Sequence, residues 1–552
     1  MSRQHERLPF QESKDLVTRL EGRTMKRAAS LMICMMLHGS GGVTAQSPTV
    51  PAGDWMTFNR TLAGDRFSPL SEINRDNVTR LRLLCTYTLP EVVSLQTGPL
   101  VIDGTMYFTS DSSSYAIDAS HCSEKWRRVL NVTRPSPTGA HRGLAYLNGV
   151  LFRGTSDAHV VALDAKDGRT KWDVALDIDG PGVALSMAPI AYDHKVFIGN
   201  AGGDQVGVTG HVYALDADTG RTVWRFDAVP NTTSARATWG NAHDKPLSGG
   251  GFWTSFTLDT ARRLLYAPAG NPAPDFDLAM RPGKNLYTNS VLAIDIDTGH
   301  LVAYNQIVKR DFHDWDVDSP PALVTTRRGR RLVLSANKDG VLSVLDRDHN
   351  LGVVYQQPTT TRLNVTTPLS RTHDVRFCPG IVGGSEWNGA SYDPELNIIV
   401  VGAVDWCASV RVQAADALVP AQGALWFGAE TPVERIFDPV EQARGRVTAF
   451  DADTGAVRWK FQTPRPVNAA VTPTAGGLVF TADLGGRFYA FDATTGRVLW
   501  HYEMGQSTGG GIVTYLANGS QRVAIASGMK SPIWPGAADA SRIVIFGVES
   551  SR

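Results

Sequence analysis

The segment HDWDVD places two carboxylates, Asp316 and Asp318, two residues apart. A carboxylate held beside a hydroxyl group can take its proton, and carboxylates are also the ligands that hard cations prefer. Upstream, GGGFW sets three glycines before Trp253, and Gly-Asn-Pro supplies the amide oxygen of Asn271 18 residues later. Glycines let backbone come close to a flat ligand, and an indole face gives such a ligand a floor. The same residue types also serve plain ends, an indole in packing and an acid in a solvated loop, so the elements around them decide.

Those elements are a repeat. Two or three apolar residues, Asp, a turn with Gly or Asp, and an aromatic roughly eight residues after the Asp recur along the chain. The copies are YAIDASHCSEKW, VALDAKDGRTKW, YALDADTGRTVW, LAIDIDTGHLVAY, SVLDRDHNLGVVY, TAFDADTGAVRW and YAFDATTGRVLW. Alternating apolar residues on both sides of Asp-x-x-Thr-Gly predict strand, tight turn, strand, and helical periods are nearly absent. The marking residues are Asp118, Asp164, Asp216, Asp295, Asp346, Asp451 and Asp492, near 50 apart except for gaps of 79 and 105. The larger gap has room for one more unit, with EWNGASYDPELNIIVVGAVDW as its candidate. Eight units predict an all-β fold: an eight-bladed β-propeller of four-stranded antiparallel blades, filling residues 46–552 as one domain. The repeat aromatics are expected to dock one sheet on the next, and closure to pair the segment after Ala45 with strands near Val544. The gap between Asp216 and Asp295 reads as lengthened loops, where sites are built.

From Trp55 to Trp500 the chain resembles the pyrroloquinoline-quinone (PQQ)-dependent alcohol dehydrogenases, on the combination of the propeller repeat with GGG-x-W, Gly-Asn-Pro and Trp-Asp in this order. The resemblance implies PQQ on the ring axis beside Ca2+ or a lanthanide ion, with hydride passing from an alcohol carbon to the quinone. Trp253 matches the floor of the cofactor pocket. Arg142 in HRGLAY matches the arginine that binds the cofactor, and Lys338 in ANKDG stands where the family places Arg or Lys near the quinone oxygens. Ser186 and Asn388 match hydrogen-bond donors to the cofactor, though ordinary turn polarity explains them as well. Asn271 matches one metal ligand. For the second, Asp204 or Gln205 in GNAGGDQVGVTGH fits the position by count, and the charge of a carboxylate favours Asp204. Asp316 matches the catalytic base and a metal ligand. Asp318 stands where lanthanide-using members carry a further acidic ligand, or is a solvated loop acid.

Besides lacking the family's glutamate at the second ligand position, the sequence departs from the family in two further places. Ser136-Pro137 replaces an adjacent cysteine pair, so the upper face of the cofactor must be covered differently, and a residue common between Asp and Trp is missing from HDWDVD.

The chain's 54 basic and 54 acidic side chains and 42% hydrophobic content suit a large core and give no bias toward nucleic acid. Met25-Lys26-Arg27, a short apolar run over 28–37 and Val43-Thr44-Ala45 form a signal-peptide pattern, with translation expected to begin at Met25 and residues 1–45 removed or extraneous. A periplasmic or secreted protein without a membrane span follows. In that oxidising compartment Cys85 is expected to pair with Cys122 and Cys378 with Cys407, each within one blade. No Cys-x-x-Cys-His occurs, so no attached c-type haem is expected, and electrons would leave to a separate acceptor such as a soluble cytochrome c. A non-catalytic propeller that scaffolds outer-membrane assembly would share the signal and the blades but has no need of the three motifs.

Overall fold

An Asp-led turn, Asp-x-x-Thr-Gly in four blades, builds the outer hairpin of seven blades from local chemistry. Strand His211–Asp216 ends at Asp216, whose Oδ1 accepts from the backbone N–H (2.9 Å) and hydroxyl (2.6 Å) of Thr219. The Gly220 N–H then closes on the Asp216 carbonyl at 2.8 Å, and Thr222–Asp227 returns antiparallel.

The computed structural model describes residues 50–548 apart from 137, 179–180 and 241–244. It contains eight four-stranded antiparallel sheets, the expected all-β propeller. In the first blade the strands are Leu100–Ile102, Thr105–Thr109, Ser113–Asp118 and Glu124–Val129. The first three are largely buried and the last is exposed along most of its length, so the first lies toward the ring axis and the fourth at the rim. The one α-helix among the described residues is Thr233–Ala237, in the lengthened loops of the Asp216-to-Asp295 gap. No described helix is long and apolar enough to cross a membrane. The signal-peptide residues lie outside the described ones.

The repeat aromatics do dock the blades on one another. Trp224, in the outer strand of the third blade, donates its indole N–H to the carbonyl of Ile296 in the fourth at 3.0 Å. Gly299, in the turn of that next blade, adopts φ +73° and faces the ring so closely that a Cβ there would meet it at 2.7 Å. The same N–H bond to the following blade recurs from Trp126 to Ala165, Trp172 to Ala217 and Trp459 to Ala493.

The eighth blade is not in the gap between Asp346 and Asp451. There Ala390–Asp393 and Ile398–Asp405 form the first two strands of the sixth blade, whose outer strands are Arg444–Asp451 and Val457–Thr463. The gap is long because the chain leaves the blade on either side of this pair, where Val375–Phe377 and Ala408–Val410 form a two-stranded sheet. The eighth blade joins Ile512–Ala517, Ser520–Ser527 and Arg542–Val548 to Leu81–Thr88 from the other end of the described chain. It lacks the signature because no local hairpin links its third and fourth strands. Closure thus uses a strand well beyond Ala45, with Thr86 opposite Val544.

Both expected disulfides are present, at sequence separations of 37 and 29. Their placement differs in one respect. Cys85 lies in the closing strand and Cys122 in the turn of the first blade, so this bridge spans two neighbouring blades. Cys378–Cys407 staples the inserted two-stranded sheet of the sixth blade.

Candidate functional site

Each blade's inner strand is preceded by a short irregular segment, and these segments converge at one end of the ring. Gln96 precedes the strand beginning at Leu100, Arg142 that at Ala145, Ser186 that at Ile190, Trp253 that at Thr257, Asp316 that at Ala322 and Trp387 that at Ala390. All six residues line one cavity of 240 Å³. The segment before the inner strand, three to six residues ahead of it, thus contributes one wall residue from each of six blades, and the chemistry differs from blade to blade.

Asp316 is the most constrained acid in this cavity. Its Oδ1 accepts the backbone N–H of Asn271 at 2.9 Å, and its Oδ2 meets Lys338 Nζ at 2.7 Å. Gly270 permits this approach, since a Cβ there would lie 2.4 Å from Asp316 Oδ1. Lys338 Nζ also lies 3.6 Å from Asp314 Oδ1 and 5.6 Å from the centre of the Trp253 ring. Burial opposes the charge on Lys338, but Asp314, Asp316, Glu386 and Asp318 outweigh it and hold the ammonium well above its ordinary range.

Arg142 lies between two indoles, 4.7 Å from the Trp253 centroid and 5.1 Å from that of Trp387. Its Nη1 donates to the Trp253 carbonyl at 3.2 Å and to Ser186 Oγ at 3.3 Å. Burial lowers the guanidinium to about 10, partly offset by Glu386 and Asp318. Trp387 packs edge-on against Trp534, and both rings line the cavity. Ser136, in place of the family's cysteine pair, also reaches the cavity wall, while Pro137 lies outside the described residues.

Asp204 is only partly buried and stands within a cluster with Asp275 and Asp314, ligand atoms all within 4.8 Å of one another. Its neighbour Gln205 packs its side chain against Gly182 and Gly202. Burial, then repulsion from Asp316, raises Asp204 to about 6, against the pull of Lys338 and a hydrogen bond from Asn271. Burial and neighbouring carboxylates push Asp275, Asp314 and Asp318 well above the usual range and Glu386 up to about 8. The common cause is a crowd of buried acids with too few cations.

Two expected residues stand differently from the rest. Asn388 does not line the cavity. Its Nδ2 donates to the carbonyl of Asn468 at 2.6 Å and its own backbone carbonyl accepts from Arg66, so it ties neighbouring segments together. Asp318 is fully buried and not a solvated loop acid, but its neighbours are Glu386, Asp316 and Lys338 and it is not part of the Asp204 cluster. Asp275, Asp314, Glu386, Trp387 and Trp534 were not among the expected site residues. Their signals were adjacency to Asn271, Trp315 and Asn388, and for Trp534 none.

The unsatisfied groups show what the site fits. Arg142 Nε and Trp387 Nε1 are buried donors without a hydrogen-bond partner, and Asp275 Oδ2, Asp314 Oδ1, Glu386 Oε1 and both oxygens of Asp318 are buried acceptors without one. Donors beside an indole floor suit a flat ligand bearing carboxylates and carbonyls, and crowded carboxylates suit a cation. A metal-assisted quinone meets both needs.

Comparison with known proteins agrees. The family described as "Glucose/ethanol/alcohol dehydrogenase, beta-propeller domain", whose short name is PQQ, matches residues 55–354, over half of the chain. A second family, "Outer membrane protein assembly factor BamB", matches residues 435–529, a stretch of blade repeat away from most of the site. The quinohemoprotein alcohol dehydrogenase ADH IIB of Pseudomonas putida is 28% identical over 95% of this chain and 82% of its own length. The crystal structure of the quinohemoprotein alcohol dehydrogenase of Comamonas testosteroni superposes with a TM-score of 0.80 at 26% identity, covering 91% of this chain and 81% of that one. A europium-containing methanol dehydrogenase shares the fold, with a TM-score of 0.80 at 24% identity over 90% of this chain and 98% of its own. With the ring, the indole floor and the paired Asp316 and Lys338 in place, the chain belongs to the pyrroloquinoline-quinone β-propeller family of glucose, ethanol and other alcohol dehydrogenases.

Proposed function

We propose that this protein oxidises an alcohol to an aldehyde or ketone with PQQ and a bound metal ion. The observation that carries the reading is Asp316, fixed by Asn271 N–H and Lys338 at the edge of a cavity floored by Trp253. When bound, the quinone accepts the two electrons of the alcohol and the ion polarises its reactive carbonyl.

The chain's own residues do the rest. Trp253 presents its face, and Arg142 and Ser186 supply donors to the ligand's carboxylates and carbonyls. Asp204, Asn271 and Asp316 are the oxygen ligands for the ion, with Asp318 as the further acid that the family resemblance suggests. Asp316 takes the hydroxyl proton of the alcohol, and Lys338, paired with it, keeps the carboxylate oriented and would offer a cation to the bound quinone. Ca2+ and a lanthanide ion are the two candidates for the metal.

We place the enzyme in the periplasm or outside the cell, on the signal-peptide pattern and the two disulfides. Its electrons pass to a separate acceptor such as a soluble cytochrome c. Polyols and sugars stand beside simple alcohols as substrates.

The test is dye reduction by the purified protein given PQQ with Ca2+ or with a light lanthanide, across a panel of primary, secondary and polyhydric alcohols. Alcohol-dependent reduction that needs both quinone and ion is the expected result. No reduction under any combination would overturn the proposal.

A further inference from the structure

The backbone that carries Asp316 is held by groups that do not line the cavity. Trp315, one residue before it and 4% exposed, donates its indole N–H to the carbonyl of Pro379 at 3.2 Å. His313 stacks on Trp315 with ring centres 3.9 Å apart and planes 15° apart, and meets Phe377 edge-on at 4.6 Å. The Asp311 carboxylate ties the turn from within, accepting the N–H groups of His313 and Trp315 at 3.1 Å each. Phe377 and Pro379 flank Cys378, so the indole bond and the edge-on contact both end on the two-stranded insert of the sixth blade.

That insert is slight. Val375–Phe377 and Ala408–Val410 have three residues each, and a lone hairpin of that size is not stable in water. Its end is closed by the Cys378–Cys407 bridge and by the Gly380 N–H on the Trp406 carbonyl at 2.8 Å. The staple thus gives the insert a rigidity that its few strand hydrogen bonds do not.

A base works within about 2.6–3.2 Å of the proton it takes, and a misplacement of about 1 Å can cost about 100-fold in rate. Asn271 N–H and Lys338 aim the Asp316 carboxylate. Where its backbone stands is set on one side by the Lys338 N–H, 3.3 Å from the Asp316 carbonyl, and on the other by Trp315.

We propose that Trp315 is a positioning residue for Asp316, and that the stapled insert is the brace it works through. The inference rests on the reading above that Asp316 is the base. Trp315 does not line the cavity and acts only through its neighbour.

Trp315→Phe keeps the stack on His313 and removes the N–H, with both disulfides intact. In the protein loaded with quinone and ion, turnover per bound quinone should fall about 10- to 100-fold, while the KM for the alcohol and the quinone affinity stay within about twofold. Counting per bound quinone removes any loss of folded molecules from the number. Cys378→Ala with Cys407→Ala should act through the same path, so adding Trp315→Phe to that pair should lower turnover by less than the product of the separate effects. Hydrogen exchange read by mass spectrometry needs neither quinone nor alcohol. Amides of residues 311–316 should exchange about tenfold faster or more in the cysteine variant, while those of Ser113–Asp118 in the first blade keep the wild-type rate. Wild-type turnover per quinone in Trp315→Phe, fully multiplicative effects, or wild-type exchange over 311–316 would each overturn the brace. In an enzyme that is otherwise active, those results keep Asp316 as the base and remove the brace alone. Faster exchange in the variant of a protein that never reduces dye would instead sink the dehydrogenase, and with it the catalytic role of the brace.

Discussion

If indole-on-glycine contacts hold the ring together, Trp224 and Gly299 must be energetically coupled across the boundary between the third and fourth blades. Trp224 is 8% exposed, donates to Ile296 and packs 5.9 Å from the ring of Phe197. Trp224→Ala should therefore cost about 3–5 kcal/mol through the cavity and the lost hydrogen bond. Gly299→Ala carries two penalties. The left-handed conformation at φ +73° costs about 1–2 kcal/mol for a residue with a Cβ. The new methyl, 2.7 Å from the indole, adds about 1–3 kcal/mol of overpacking. In the double variant the methyl enters the space the indole has vacated, so only the conformational part survives. The two changes should fall short of additivity by about 1–3 kcal/mol. The assay is urea unfolding of all four proteins followed by circular dichroism, at matched m values. Additivity within about 0.5 kcal/mol would refute the idea that these two residues form the contact between blades.

Trp253→Ala and Arg142→Ala should each weaken PQQ binding in equilibrium dialysis while the unfolding midpoint holds; unchanged affinity in both would mean that the pocket is misplaced. Asp316→Asn keeps the shape of the side chain and removes the base, so turnover should fall by about 100 to 10,000-fold with PQQ still bound, and near-normal turnover would end its assignment as the base. Replacing Cys378 and Cys407 together by alanine opens a loop of 29 residues and should cost roughly 3–4 kcal/mol by the chain-entropy relation. Mass mapping of the exported protein without reductant should recover both bridges, and free thiols at all four positions would contradict them.

Seven blades were legible because their signature is local: an Asp-led turn joins two strands adjacent in sequence, and in five of them the aromatic that follows bonds the turn of the next blade. The eighth was not, because its strands come from opposite ends of the chain and share no turn. Length misled at the sixth blade, where the chain's excursions around Val375–Phe377 and Ala408–Val410 looked like room for another unit. In the site, Trp253, Asn271 and Asp316 were readable from the order of their motifs. Asp275 and Asp314 were not, since what makes them notable is their distance from Asp204, a residue of another blade. The triplet Glu386, Trp387 and Asn388 shows the limit most sharply. The motif match selected its third residue; the first two line the cavity, and the third donates to the carbonyl of Asn468.

The Cys85–Cys122 bridge decides where the ring can come apart. It welds Leu81–Thr88 to the first blade, so a breathing motion at the seam must part that strand from Arg542–Val548, on the side without a covalent tie. The C-terminal sheet would then be three-stranded, with the apolar sequence RIVIFGV as a bare edge. An unpaired edge of that kind templates another strand, and the best-matched strand available is Leu81–Thr88 of a second molecule. Open rings would thus link head to tail into chains of propellers, so that concentrated refolding has a route to polymers in which every blade is native.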